Sequence, residues 1–64
     1  MLWTDIHEIV DELIEKYPET DPEKILFVDL RKLVMDLDGF TDDPDRSNEK
    51  ILEAIQATWI DEKD

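Results

Sequence analysis

The chain has 64 residues, no cysteine and a formal net charge of −12, with 19 Asp and Glu against seven Lys and Arg. A chain this short forms one domain and buries only about 60% of its extended surface, so its apolar side chains must nearly all serve one thin core. The charge repels nucleic-acid phosphates and anionic membranes and attracts basic protein surfaces or cations. Without thiols the chain offers no sulfur nucleophile, no persulfide carrier and no thiolate ligand for zinc or an iron–sulfur cluster.

The first predicted element runs from Asp5 to Tyr17, where Ile6, Ile9, Val10, Leu13, Ile14 and Tyr17 recur at helical spacing. Thr4 or Asp5 can cap it, and Asp5 with Glu8 has the spacing of a capping box. Pro18 ends it, because the residue before a proline avoids the helical region. Asp21 and Pro22 then read as the cap and first position of a short second helix. The extended bias of Phe27-Val28-Asp29 interrupts that helix, and Asp29 can cap a third one lined by Leu30, Leu33, Val34 and Leu37.

Gly39 stands where a left-handed residue is wanted after that helix. Residues 40–47 have no periodicity and carry Asp42, Asp43, Pro44 and Asp45, the composition of a solvated, negative loop. Ser47 is the predicted cap of the last helix, whose apolar face is Ile51, Leu52, Ile55, Trp59 and Ile60. Asp61 to Asp64 read as a frayed, charged tail. The expectation is an all-α domain of three main helices and one short one, filled by Trp3, Phe27, Phe40 and Trp59. Propensity alone fits a plain bundle. Equally, the acidic loop could be the wing of a compact winged-helix-like domain, although its composition is poor for strands.

Apolar runs stay far below the ~20 residues of a membrane span. Residues 1–5 lack the basic and apolar regions of a signal peptide. A soluble, cytoplasmic monomer is the expectation.

Two acidic sets carry the candidate chemistry. Glu8, Asp11, Glu12 and Glu15 lie opposite the apolar stripe of the first helix, where like charges cost a few tenths of a kcal/mol per pair. Lys16 can relieve Glu12, but most of the patch stays unpaired. This is the pattern of a docking face for a partner's Lys and Arg, of a weak metal site, or of a solvated surface. The second set is Asp36, Asp38, Asp42, Asp43 and Asp45, oxygen donors suited to hard cations. An EF-hand register from Asp38 fails, since Phe40 takes a ligand position and Asp43 replaces the required glycine. His7 with Asp11 could make a weak nitrogen–oxygen pair, yet a lone boundary histidine is the plainer reading.

Nothing here composes a catalytic centre. Ser47 has no histidine placed for a triad, and one glycine cannot build a phosphate loop. Paired carboxylates need a desolvated pocket to separate their pKa values, which so small a core hardly provides. The chain is read as a non-enzyme.

Several motifs resemble one family along the whole length. They are Trp3-Thr4-Asp5, Tyr17-Pro18 with Asp21-Pro22, and Phe27-x-Asp29. The longest are Phe40-x-Asp42-Asp43-Pro44-x-x-Ser47-Asn48-Glu49-Lys50-Ile51-Leu52-Glu53-Ala54-Ile55 and Trp59-x-Asp61-Glu62. The sequence is similar to the IscX family, small acidic accessory proteins of bacterial iron–sulfur cluster assembly. That resemblance implies a winged-helix-like fold and binding to the pathway's cysteine desulfurase, in competition with the frataxin-like protein. It also implies weak, carboxylate-ligated Fe²⁺ and a modulating role.

Carried onto this chain, the implied partner-facing residues are Asp5, Glu8, Asp11, Glu12, Glu15, Asp42, Asp43 and Asp45. The implied iron ligands are drawn from Glu8, Asp11, Glu12, Glu15, Asp42 and Asp43. Arg31 departs from a position where histidine is common, and Leu33 from one where an aromatic is expected, which puts a histidine-assisted iron site in doubt. A winged-helix shape does not imply DNA binding here, since Arg31, Lys32, Arg46 and Lys50 are isolated in an acidic field. The rival readings are a carboxylate-based iron donor and an iron-independent adaptor for another basic protein.

Overall fold

A computed structural model describes residues 1–63, so Asp64 of the predicted tail lies outside the described residues. Among the described residues, three helices build the domain: α1 (Ile6–Lys16), α2 (Phe27–Met35) and α3 (Glu49–Lys63), with one 3₁₀ turn at Pro44–Arg46 between the last two. No strand occurs among the described residues. The all-helical expectation therefore holds, and "winged-helix-like" fits loosely, because the segment in the wing's place is a loop and a 3₁₀ turn.

α1 forms where the apolar stripe predicts it. Ile9, Val10 and Leu13 are completely buried, and Ile6, Ile14 and Tyr17 pack at the margin. α3 lies chiefly along α1 and secondarily against α2, contributing Leu52, Ile55 and Trp59. α2 adds Leu30 and Val34, with Leu37 just beyond its end. Trp3 closes the core from outside the helices with 1% of its surface exposed. Phe27 and Phe40 are only half-buried against that core. Trp59 is fully buried, and its indole N–H meets no protein acceptor among the described residues.

Five local expectations are corrected. The Asp21-Pro22 segment makes one turn and not a helix. The Asp21 carboxylate accepts from the Glu23 N–H at 3.0 Å and its carbonyl from Lys24 N–H at 3.2 Å, after which the chain extends. Gln56 Nε2 donates to the Pro22 carbonyl at 2.8 Å, so α3 holds this turn in place of a continued helix.

α2 begins at Phe27, with extended Leu26 as its cap residue, so Asp29 sits in the first turn instead of capping. Half-buried Phe27 and buried Leu30 bring that first turn onto the core, which outweighs the β-branched, extended bias of the segment.

Asp5 precedes α1 but caps nothing with its side chain. Its carboxylate turns back to accept from the Leu2 N–H at 2.8 Å. Asn48, not Ser47, caps α3, its side-chain oxygen accepting from the Ile51 N–H at 2.9 Å. Ser47 is drawn away, donating to the Pro44 carbonyl and accepting from Arg31 Nε at 3.2 Å.

The tail is not frayed up to Lys63: α3 continues that far, and Lys63 Nζ donates to the Thr20 carbonyl at 2.7 Å. Gly39 does take the left-handed region, at φ +83°, but as the third residue of a turn closed by Phe40 N–H to Leu37 O, beyond the helix end at Asp36.

Candidate functional site: two acidic regions

The α1 acids follow from helix geometry. Residues 8, 11, 12 and 15 recur at three- and four-residue intervals, so they share the face turned away from buried Ile9, Val10 and Leu13. Glu8, Asp11 and Glu15 are exposed and Glu12 is half-exposed. None of the four enters an ion pair or a side-chain hydrogen bond among the described residues. Lys16, expected to relieve Glu12, instead donates to the Asp36 carbonyl at 3.0 Å and lies 5.7 Å from the Tyr17 ring centre. The repulsion among these carboxylates is therefore left standing, and it favours any ligand that brings positive charge. His7 is exposed on the same helix.

The loop acids are employed differently. Asp42 is turned inward, its side chain 10% exposed. One carboxylate oxygen accepts from the Trp3 N–H at 3.1 Å. The other accepts from the Asp43 N–H at 2.7 Å and faces Arg46 at 3.6 Å. The Trp3 N–H above all holds this carboxyl below its ordinary pKa, helped by the Asp43 N–H and the Arg46 guanidinium and opposed by partial desolvation. Asp43 caps the 3₁₀ turn by accepting from the Asp45 N–H at 2.9 Å, and its carbonyl accepts from the Trp3 indole at 2.8 Å. Asp45 is exposed, with only a loose 3.9 Å approach to Arg31.

Asp5 lies between the two regions in role, half-exposed with one oxygen committed to Leu2. Asp36 and Asp38 are exposed. Sequence reading missed Arg31, which spans from α2 to Ser47 and to the Pro44 carbonyl at 3.1 Å and so fastens the loop from the other side. The sequence carries no local signal for this, since Arg31 stands nine residues before Phe40, where the acidic loop begins.

Neither region is a preformed metal centre. Among the described residues no three Asp, Glu or His side chains converge where they could hold one ion. A hard cation seeks six or more oxygens, so the residues present do not fit a high-affinity iron site. A shallow cleft lined by Asp21, Pro22, Glu23, Ile60 and Lys63 contains neither acidic set. No helix among the described residues is long and apolar enough to cross a membrane.

Comparison with known proteins supplies the family. The model of the iron-sulphur cluster assembly family matches residues 1–64. An uncharacterized protein of Pseudomonas aeruginosa is 58% identical over 62 residues, which cover 97% of this chain and 94% of the relative. The chain belongs to the iron–sulphur cluster assembly family, in agreement with the IscX resemblance of its motifs.

Proposed function

From that membership, we propose that this protein is a non-catalytic modulator of cluster assembly that docks its α1 acids onto a basic surface of the pathway's cysteine desulfurase. The observation that supports the reading is the state of Glu8, Asp11, Glu12 and Glu15: four carboxylates on one outward face, unneutralised, on a helix whose other face is anchored in the core by Ile9, Val10 and Leu13. A rigid helix presents such charges at little ordering cost, and removal of their mutual repulsion adds to the attraction. Asp43 and Asp45 are the outward-facing acids of the loop and serve as secondary contacts. Asp5 is an edge contact. Asp42 is the least available of the set, because both its oxygens are already engaged.

The frataxin-like protein competes for the same basic surface in this reading. Iron is a weak modulator: Fe²⁺ is held by one or two α1 carboxylates or by Asp43, with its remaining donors supplied by water or by the partner. Iron held on α1 offsets part of its negative charge, which makes docking tunable by Fe²⁺.

Calorimetric titration into a cysteine desulfurase, at low and moderate salt and with and without Fe²⁺, tests the proposal. Saturable binding that weakens as salt rises is expected. The combined change Glu8→Lys, Asp11→Lys and Glu12→Lys should weaken it at least tenfold while circular dichroism stays that of a folded helical protein. Undiminished affinity in that folded variant would remove the α1 face from the proposal.

A further inference from the structure

Residues 1–5 and 39–46 contain no α-helix or strand, yet they are bound to each other across almost forty positions of sequence. The Thr41 N–H donates to the Met1 carbonyl at 3.1 Å, and the Met1 nitrogen donates to the Gly39 carbonyl. The Trp3 backbone N–H reaches Asp42 and its indole N–H reaches the Asp43 carbonyl. The Trp3 and Phe40 rings meet edge to face with centres 4.8 Å apart.

Among the side chains of this set, only the Asp42 carboxylate accepts from both segments at once. Its two oxygens take two different backbone N–H donors, one from the strap formed by residues 1–5 and one from the loop of residues 39–46. An asparagine cannot do the same, because one of its two positions is an NH₂ that would face a donor.

We propose that Asp42 is a positioning residue that latches residues 1–5 to residues 39–46, so that the two segments open and close as one cooperative unit apart from the helical core. Opening this unit uncovers the Trp3–Phe40 pair and frees the backbone groups that hold Asp43 and Asp45 in place. Asp42 thereby governs the presentation of the loop acids without being a contact itself. The latch depends on no partner, so it stands or falls separately from the docking reading.

The test is hydrogen exchange followed by NMR on the intact protein. Trp3 and Trp59 give two indole N–H signals, and the one bonded to the Asp43 carbonyl reports the strap, residues 1–5, directly. In Asp42→Asn, exchange at the Trp3 indole and at the backbone N–H groups of Trp3, Thr41 and Asp43 should quicken at least tenfold, and by a common factor. Leu13 and Ile55 in the core helices should keep their rates. Asp45→Asn, which removes a similar charge without touching the latch, should leave all of these rates unchanged.

In the unmodified protein at rising, sub-denaturing urea, the same strap and loop groups should merge into one opening event that precedes the core. Unchanged exchange at Trp3 in Asp42→Asn would overturn the proposal. So would equal acceleration at Leu13 and Ile55, or strap and loop groups that open at separate urea concentrations.

Discussion

The α1 acids and the loop acids have the same chemistry in sequence and opposite employment in the fold. In α1 the backbone satisfies its own hydrogen bonds, so Glu8, Asp11, Glu12 and Glu15 are released from structural duty and remain on the surface, unpaired. Between α2 and α3 no backbone ladder is available, and carboxylates supply the missing acceptors: Asp42 for Trp3 and Asp43, Asp43 for Asp45. A cluster of acids in a short loop is therefore weaker evidence for a ligand than the same number on a helix face. The loop's own N–H groups compete for them.

The largest expected effect comes from removing the aromatic that the loop rests on. Trp3→Ala deletes a ring that is 1% exposed and should cost about 3–5 kcal/mol in urea denaturation. A loss under about 1 kcal/mol, the range of an ordinary surface change, would mean that the loop stands without its strap. Next, reversal of the α1 acids should shift partner affinity by the tenfold or more given above and leave stability within about 0.5 kcal/mol. A large stability loss in that triple variant would show that these carboxylates do structural work after all, and the contrast with the loop would collapse.

Smaller again is the boundary between loop and helix. Asn48→Ala should lower stability by about 1 kcal/mol, as expected of an N-cap. Ser47→Ala should cost less, about 0.5 kcal/mol, because the partners of its two hydrogen bonds, Arg31 and the Pro44 carbonyl, stay bonded to each other. The reverse ranking would return the cap to Ser47.

The subtlest effect is acidic. Because the Asp42 carboxyl is held below its ordinary value of 3.8, an unfolded chain takes up that proton before the folded one does. The latch's contribution is then complete above that value and is lost as pH falls through the lowered one. Acid titration of the Trp3 indole signal should show this loosening, and Asp42→Asn should lack the step. Identical acid profiles in the two proteins would detach Asp42 from the strap.

Much of the fold is legible along the chain. The stripe from Ile6 to Tyr17 marks α1 to within a residue at each end, and Pro18 stops it because of a local steric rule. Ile51, Leu52, Ile55 and Trp59 likewise announce α3. The α1 acids are legible for the same reason, since a helix converts spacing into a face. The errors concentrate where two local solutions are nearly equal in energy. Ser47 and Asn48 are both competent caps, and Arg31 and Pro44 decide between them by occupying Ser47. Asp21-Pro22 can start a helix, but Gln56 holds the Pro22 carbonyl from another element.

By itself, then, the sequence determined the three main helices, the depth of the core and the net negative field, because periodicity and composition act within a few residues or over the whole chain. Tertiary structure alone decided which of the loop acids remain free. Asp42 is indistinguishable from Asp43 or Asp45 in the sequence, and only the return of Trp3 from the far end of the chain brings a backbone N–H to its carboxylate. A long-range contact of that kind has no local signature. It exists because the core needed one more large ring, and the segment carrying that ring needed somewhere to place its N–H groups.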